Sequence, residues 1–249
     1  MQSEELNDCS RCNVSLKSIF CELDKNAIQT IYESKKSHTF KKGEVIYIEN
    51  SHPRYLFCIN SGKVKITQTG IEGNEHIMHI ASEGELIGYR AILCGDKYTR
   101  TAVAMEDSSV CLIPVDIFLS CVKENQKVAF KVFQLFSKEL QDAEKKVIDI
   151  TQRPVIERIS QSLLLLKESF GVESDGITLK IVIRRDELAS LAGTTRETAT
   201  RTLFELKSKQ IIRLSGKKIQ IINYEELFKS AKINFLIISF IIQSLHLFI

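Results

Sequence analysis

The stretch GTTRETATRTLFELKSKQIIRLSGKKIQI, residues 193–221, decides the fold. Ala199, Leu203 and Leu206 recur at helical spacing and predict a buried stripe. Arg196, Glu197, Thr200 and Arg201 share the opposite surface. Thr194 or Thr195 supplies the N-cap, with Glu197 or Thr198 following in the first turn. Beyond this helix, IIRLSGKKIQIIN (211–223) predicts two short strands around Ser215-Gly216, a tight hairpin. Upstream, RRDELASLAG (184–193) places Leu188, Leu191 and Ala192 on one helical face, and Gly193 ends that helix as a left-handed C-terminal residue. An apolar helix, Val155 to Phe170, a loop (171–176) and a strand, ITLKIVI (177–183), come first. Helix, glycine turn, helix and hairpin form the outline of a winged helix-turn-helix.

The outward face brings two guanidinium groups, a carboxylate and a hydroxyl together near a helix N-terminus. These groups suit base edges in a major groove: Arg with guanine, Glu with the cytosine amino group, Thr with a base or phosphate. A solvated face with an internal Arg/Glu pair is the plainer alternative. Against it stand the basic pairs Arg184-Arg185 and Lys217-Lys218, which with Thr195 could contact phosphates on both sides of the reading helix. Charge is distributed accordingly. Residues 151–232 carry 15 Lys+Arg against 10 Asp+Glu, whereas residues 1–150 carry 19 against 21. A basic C-terminal half behind a near-neutral N-terminal half fits a polyanion partner for the former.

At 249 residues and 44% hydrophobic composition, two domains are expected. From Thr39 to Pro114, short β-rich runs such as EVIYIE (44–49), YLFCIN (55–60), GKVKITQTG (62–70) and EHIMHIA (75–81) alternate with glycine turns, without a helical period between them. That spacing predicts a small antiparallel barrel or roll, preceded by a short helix, Leu23 to Ser34. After Pro114 the period turns helical. Phe133, Phe136, Leu140, Ala143, Val147 and Ile150 follow a 3-4 spacing that predicts a parallel homodimer seam over 133–150, with Val128, Val132 and Leu135 left to pack on the roll. Thr151 to Pro154 breaks the helix as a hinge.

The fold class read from these patterns is α+β, and the expected domains are a Cys-bearing N-terminal segment (1–22), a β-roll sensor domain (23–116), a dimerisation helix (117–152), a winged-helix domain (153–232) and an apolar tail (233–249). The tail, INFLIISFIIQSLHLFI, is interrupted by five polar residues, so a membrane span is not expected of it; its role stays open. No signal peptide is read at the polar, acidic N-terminus, and seven cysteines without secretory features suit thiols or metal ligands better than a disulfide framework. The cytoplasm is the expected compartment.

FKKGEVIYIENS, EGELIGYRAILCG, SSVCLIP and above all the 193–221 stretch resemble the Crp/Fnr family of bacterial transcription regulators over roughly residues 9–228. The resemblance implies a cyclic-nucleotide-binding-type β-roll (a double-stranded β-helix), a long dimerisation helix, a C-terminal winged helix, double-stranded DNA and RNA polymerase as partners, and no enzymatic activity. The family's Glu, Ser/Thr/Gly and Arg fall on Glu197, Thr200 and Arg201. Arg196 falls where the cAMP-receptor branch has a further base-reading Arg. Half-sites like TGTGA or TTGA in a palindrome are implied.

The effector is less legible. In relatives a Glu after the Ile-Gly of the roll contacts the ribose; here Ile87-Gly88 is followed by Tyr89-Arg90. Arg100-Thr101 could stand in for the phosphate-holding pair, and Ala143-Glu144 replaces the base-contacting Thr-Ser. Gly88, Tyr89, Arg90, Arg100 and Thr101 are the candidate effector residues, and the losses argue against cyclic AMP. The oxygen-sensing branch holds an iron–sulfur cluster on three N-terminal Cys and one in the roll. Cys9, Cys12 and Cys111 match that set, Ser18 stands at the third ligand, Cys21 lies three residues on, and Cys58 is a more distant option. Buried small hydrophobes are the alternative for Cys58, Cys94, Cys111 and Cys121. The effector therefore stays open. Two rival functions fit less well: a sensory module regulating a protein without DNA, which leaves the basic flanks unexplained, and a redox enzyme using Cys9 and Cys12, which lacks a βα context.

Overall fold

Strands with both faces covered read as continuous buried runs, and Leu56–Ile59 is such a run in the N-terminal unit. The computed structural model describes residues 19–23, 25–70, 73 and 75–232. It divides into two units, Met1–Gln141 and Asp142–Ile249. Among the described residues the N-terminal unit has eight strands: β1 Lys36–Phe40, β2 Val45–Tyr47, β3 Tyr55–Ser61, β4 Val64–Thr69, β5 Glu75–Ala81, β6 Leu86–Ile87, β7 Thr101–Ala104 and β8 Ser108–Pro114. They pair antiparallel in two four-stranded sheets, β1-β8-β3-β6 and β2-β7-β4-β5. Phe57, Ile59, Val64, Ile66, Ile87 and Val110 fill the space between the sheets. Because side chains alternate along a strand, Leu56 and Ile113 point the other way. There they meet Phe20 and Leu23, Ile31 of helix α1 (Lys25–Ser34), and Phe118 of helix α3 (Val115–Glu124). This is the antiparallel roll expected from the glycine-punctuated strands.

Three expectations need correction. A helix, α2 (Tyr89–Cys94), does lie inside the strand-rich region; at six residues it is too short to produce a readable helical period. The expected single helix over 117–152 is two, α3 and α4 (Gln126–Gln152), broken at Asn125. Asn125 has extended backbone, and its side-chain oxygen accepts the Lys127 and Val128 amides, so it caps α4. The stretch 177–183 is no continuous strand: only Thr178 and Leu179 form isolated bridges. Asp175 explains the short pairing, since its carboxylate accepts the Ile177 and Thr178 amides and the Thr178 hydroxyl, curling the chain into a turn. The same hydrogen bonds hold the Asp175 carboxyl below its usual range.

Along α4, Val128 and Val132 are buried and Leu135 packs beside them, while Phe133 is 68% exposed and Leu140 and Val147 are each 62% exposed. Phe130 and Ile148 add to the exposed apolar surface. Phe136 departs from the expected seam: half-buried, its ring lies 5.5 Å from that of Tyr89.

The C-terminal unit holds α5 (Val155–Phe170), α6 (Arg185–Leu191), α7 (Arg196–Ser208), the hairpin β9 (Ile212–Ser215) with β10 (Lys218–Ile221), and α8 (Tyr224–Ser230), which the sequence reading did not separate. Ile159, Leu163, Leu166, Leu188, Leu203, Leu206, Ile212 and Leu227 are fully buried and make its core. Glu157 is buried too, and Lys232 at 2.7 Å and Arg153 at 3.6 Å supply the paired charges such burial requires.

Candidate nucleic-acid interface

Helices α6 and α7 are joined by a turn whose carbonyl is held from beneath. Arg158 of α5, itself buried, donates from Nη1 to the Gly193 carbonyl at 2.8 Å. Gly193 lies at φ +61°, and a Cβ there would stand 2.9 Å from Cδ1 and Cγ1 of Ile150 and 3.2 Å from Arg158 Nη1. The sequence marked Gly193 as a helix stop. It did not mark Arg158 as a positioning residue, although a guanidinium in an otherwise apolar helix face was the available signal. Gly193→Ala is expected to destabilise the C-terminal unit by about 1–2 kcal/mol from the left-handed backbone alone. A lower urea midpoint with unchanged slope would show it.

Thr195 caps α7, its hydroxyl oxygen accepting the Thr198 amide at 3.3 Å. Ala199, Thr202, Leu203 and Leu206 are buried, and Thr202 satisfies its hydroxyl on the Thr198 carbonyl at 2.9 Å. The cap and this stripe fix the rotation of the helix, leaving Arg196, Glu197 and Arg201 exposed and Thr200 half-buried. Thr200 donates to the Arg196 carbonyl at 2.8 Å, so its hydroxyl oxygen is the group it still offers as an acceptor. Among the described residues, Arg196, Glu197 and Arg201 form no ion pair, so the internal Arg/Glu pairing weighed as the plain alternative is not made. Phe204 is exposed on the same face, three residues beyond Arg201. The sequence reading passed over it because an isolated exposed apolar residue is ordinary.

The flanking cations differ in how free they are. Arg184 is exposed but bonded to Asp186 at 3.2 Å and Glu187 at 3.6 Å, and its amide donates to Glu187, closing the start of α6. Arg185 is half-buried, and burial lowers its guanidinium pKa. On the wing, Lys218 pairs with Glu173 at 2.7 Å, whereas Lys217, in the two-residue turn with Gly216, is exposed. Arg213 is exposed opposite Gln220 and adds a cation the sequence reading did not single out.

In the roll, Gly88 precedes α2, and a Cβ there would stand 3.1 Å from the Tyr98 ring. Tyr98 stacks on Tyr47 at 4.2 Å and donates to the Tyr55 carbonyl at 3.0 Å, and burial pushes its hydroxyl up to about 12. Burial also raises the buried Tyr89 hydroxyl. Arg90 donates from Nε to Glu139 at 2.7 Å. Arg100 is half-buried; burial first, then the nearby Arg90 charge, lowers its pKa. Thr101 accepts the Glu49 amide at 3.0 Å. The expected effector residues thus divide: Arg100 is a cation among tyrosines, while Arg90 and Thr101 already have partners. Of the thiols read as cluster ligands, Cys9 and Cys12 and the side chain of Cys21 lie outside the described residues. Cys111 is half-buried on β8. No three His, Cys, Asp or Glu side chains group to hold a metal among the described residues.

Comparison with known proteins places these features in context. Residues 37–125 match the cyclic nucleotide-binding domain, and residues 157–229 match the Crp-like helix-turn-helix domain. The chain is 26% identical over 228 residues to the fumarate and nitrate reduction regulatory protein of Vibrio cholerae, spanning 91% of this chain and 90% of that one. It is 27% identical over 183 residues to the cyclic AMP receptor protein of Thermus thermophilus, spanning 73% and 82%. Among solved structures, a CRP/FNR-family transcriptional regulator from Thermus thermophilus superposes with a TM-score of 0.67 at 25% identity, over 80% of this chain and 99% of that one. A transcriptional regulator of the same description from Eubacterium rectale gives a TM-score of 0.76 at 20% identity, over 86% and 98%, a likeness of fold.

Proposed function

This chain belongs to the Crp/Fnr family of DNA-binding transcription regulators, and from that premise we propose that it acts as a homodimer whose two α7 helices read the half-sites of a palindromic duplex. Arg196, Glu197, Thr200 and Arg201 read base edges, and the single observation carrying this reading is that the two arginines and the glutamate stand exposed on a capped helix without ion-pair partners among the described residues. A charged group that the fold leaves without a partner, on a helix whose rotation the core fixes, is available to a base. Arg185, Thr195 and Lys217 contact phosphates, joined by Arg184 and Lys218 once they exchange carboxylates for the backbone. The test is a gel shift on duplexes selected from a random palindromic library.

Salt dependence separates phosphate contacts from base contacts. Lys217→Ala is expected to reduce the slope of log affinity against log salt by roughly 1 per half-site, leaving sequence preference unchanged. Lys218→Ala also strips Glu173 of its partner, so its effect on slope is smaller or obscured.

The 133–150 face of α4 forms the dimer seam, and the roll controls the dimer through an effector bound or sensed at Gly88, Tyr89, Arg90, Arg100 and Thr101. The missing ribose carboxylate and the Tyr98 ring over Gly88 count against cyclic AMP as that effector. RNA polymerase is the partner expected of a family activator, and the cytoplasm the compartment. No helix among the described residues is long and apolar enough to cross a membrane. No observation favours a sensory module acting without DNA.

A further inference from the structure

Strands β3 and β8 pair at the centre of their sheet, and in that pairing Cys58 and Cys111 stand directly opposite one another. Opposed residues in an antiparallel pair share one face with Cα atoms about 4.5–5.5 Å apart. A disulfide needs Cα atoms roughly 4.4–6.8 Å apart. The Cα separation expected of this opposed pair therefore falls within the range a disulfide spans. Cys58 is buried and Cys111 half-buried. Two polar groups approach Cys111, Lys35 Nζ at 3.9 Å from its sulfur and Ser37 Oγ at 3.8 Å. Lys35 lies between α1 and β1, and Ser37 is the residue facing Cys111 across β1. The remaining described thiols lack such an arrangement: Cys94 is exposed at the end of α2, and Cys121 is buried in α3.

We infer that Cys58 and Cys111 form a redox-active dithiol that a hydroperoxide converts into a cross-strand disulfide. Cys111 is the attacking sulfur, being the more accessible of the two and the one with a cation beside it. It attacks one peroxide oxygen, the O–O bond breaks, and the thiol proton leaves with the departing oxygen as water or an alcohol. The product is a sulfenic acid on Cys111. The Cys58 sulfur then attacks the Cys111 sulfur, the S–O bond breaks, and hydroxide departs with the Cys58 proton as water. The two thiols lose two electrons and the peroxide gains them. The disulfide would join two strands whose outer face also packs helix α1, the first described α-helix after the Cys9–Cys12 segment.

The test uses the full chain, reduced and then treated with one equivalent of hydrogen peroxide. Trypsin followed by a Glu/Asp-specific protease separates Cys111 from Cys121 at Asp116, and mass spectrometry identifies the joined peptides. The expected result is a Cys58–Cys111 peptide pair two hydrogens lighter than its parts, loss of two free thiols per chain, and reversal by dithiothreitol. In Cys58→Ser, with its fold verified by circular dichroism, the pair disappears and a sulfenic-acid probe labels Cys111. The inference is overturned if Cys111 joins Cys9, Cys12 or Cys21 instead, if it proceeds to sulfinic acid while Cys58 in the unaltered chain stays reduced, or if neither thiol reacts.

Discussion

Arg201→Ala is expected to abolish sequence-specific DNA binding while the protein stays folded and dimeric. An Arg bidentate to a guanine edge contributes about 1–3 kcal/mol of discrimination, which is roughly 5- to 140-fold in affinity per half-site, and a dimer loses it twice. Among the described residues Arg201 has no ion pair to break, and it stands exposed. Removing it should therefore alter stability by no more than about 0.5 kcal/mol. Arg201→Lys sharpens the test, because lysine keeps the charge but not the two-pronged donor geometry. Affinity for unrelated duplexes should then survive while preference for the selected palindrome is lost. Equal losses on both kinds of duplex would make Arg201 a phosphate contact, and no loss would remove it from the interface.

How much of this interface was legible in sequence depends on which interactions are local. The inward stripe Ala199, Leu203, Leu206 and the glycine stop at 193 are written in residues a turn apart, so helix, turn and outward face could all be read from spacing. The freedom of each cation could not be. Arg184 and Arg185 look alike in sequence, yet the first pairs with Asp186 and Glu187 and the second is half-buried. Lys218 is held by Glu173, forty-five residues away. Arg158 under Gly193 is another long-range contact, invisible to periodicity. In the roll, β2 to β5 fall in the β-rich runs read from the sequence, but α2 and the two-residue β6 are too short for any period. The α3–α4 break is a different kind of miss: Asn125 caps α4 inside the polar run KENQK (123–127), and a short polar run reads the same whether a helix passes through it or restarts in it.

The apolar stripe of α4 carries the second large effect: Leu140→Glu is expected to convert the proposed dimer into folded monomers. Phe133, Leu140 and Val147 recur every seven residues and stand mostly exposed on a single protomer. Large apolar side chains at that spacing on one helix face are the knobs of a two-helix seam. Scattered singly they would need no explanation; in register they do. Because Leu140 is 62% exposed in the protomer, a glutamate there leaves the core intact. In a parallel seam it would oppose its own copy, losing two leucines and placing two carboxylates side by side, a like-charge juxtaposition that costs several kcal/mol. A rise in the dimer Kd of about a hundredfold or more follows, read by sedimentation equilibrium. Gln141→Glu, one residue off the seam and exposed, adds the same charge and should change nothing. If Leu140→Glu stays dimeric, or both variants dissociate alike, the stripe is not the seam. The half-sites offer an independent check. A monomer can engage only one half-site at a time, so the variant should bind a full palindrome no better than a single half-site while keeping the base preference set by Arg201.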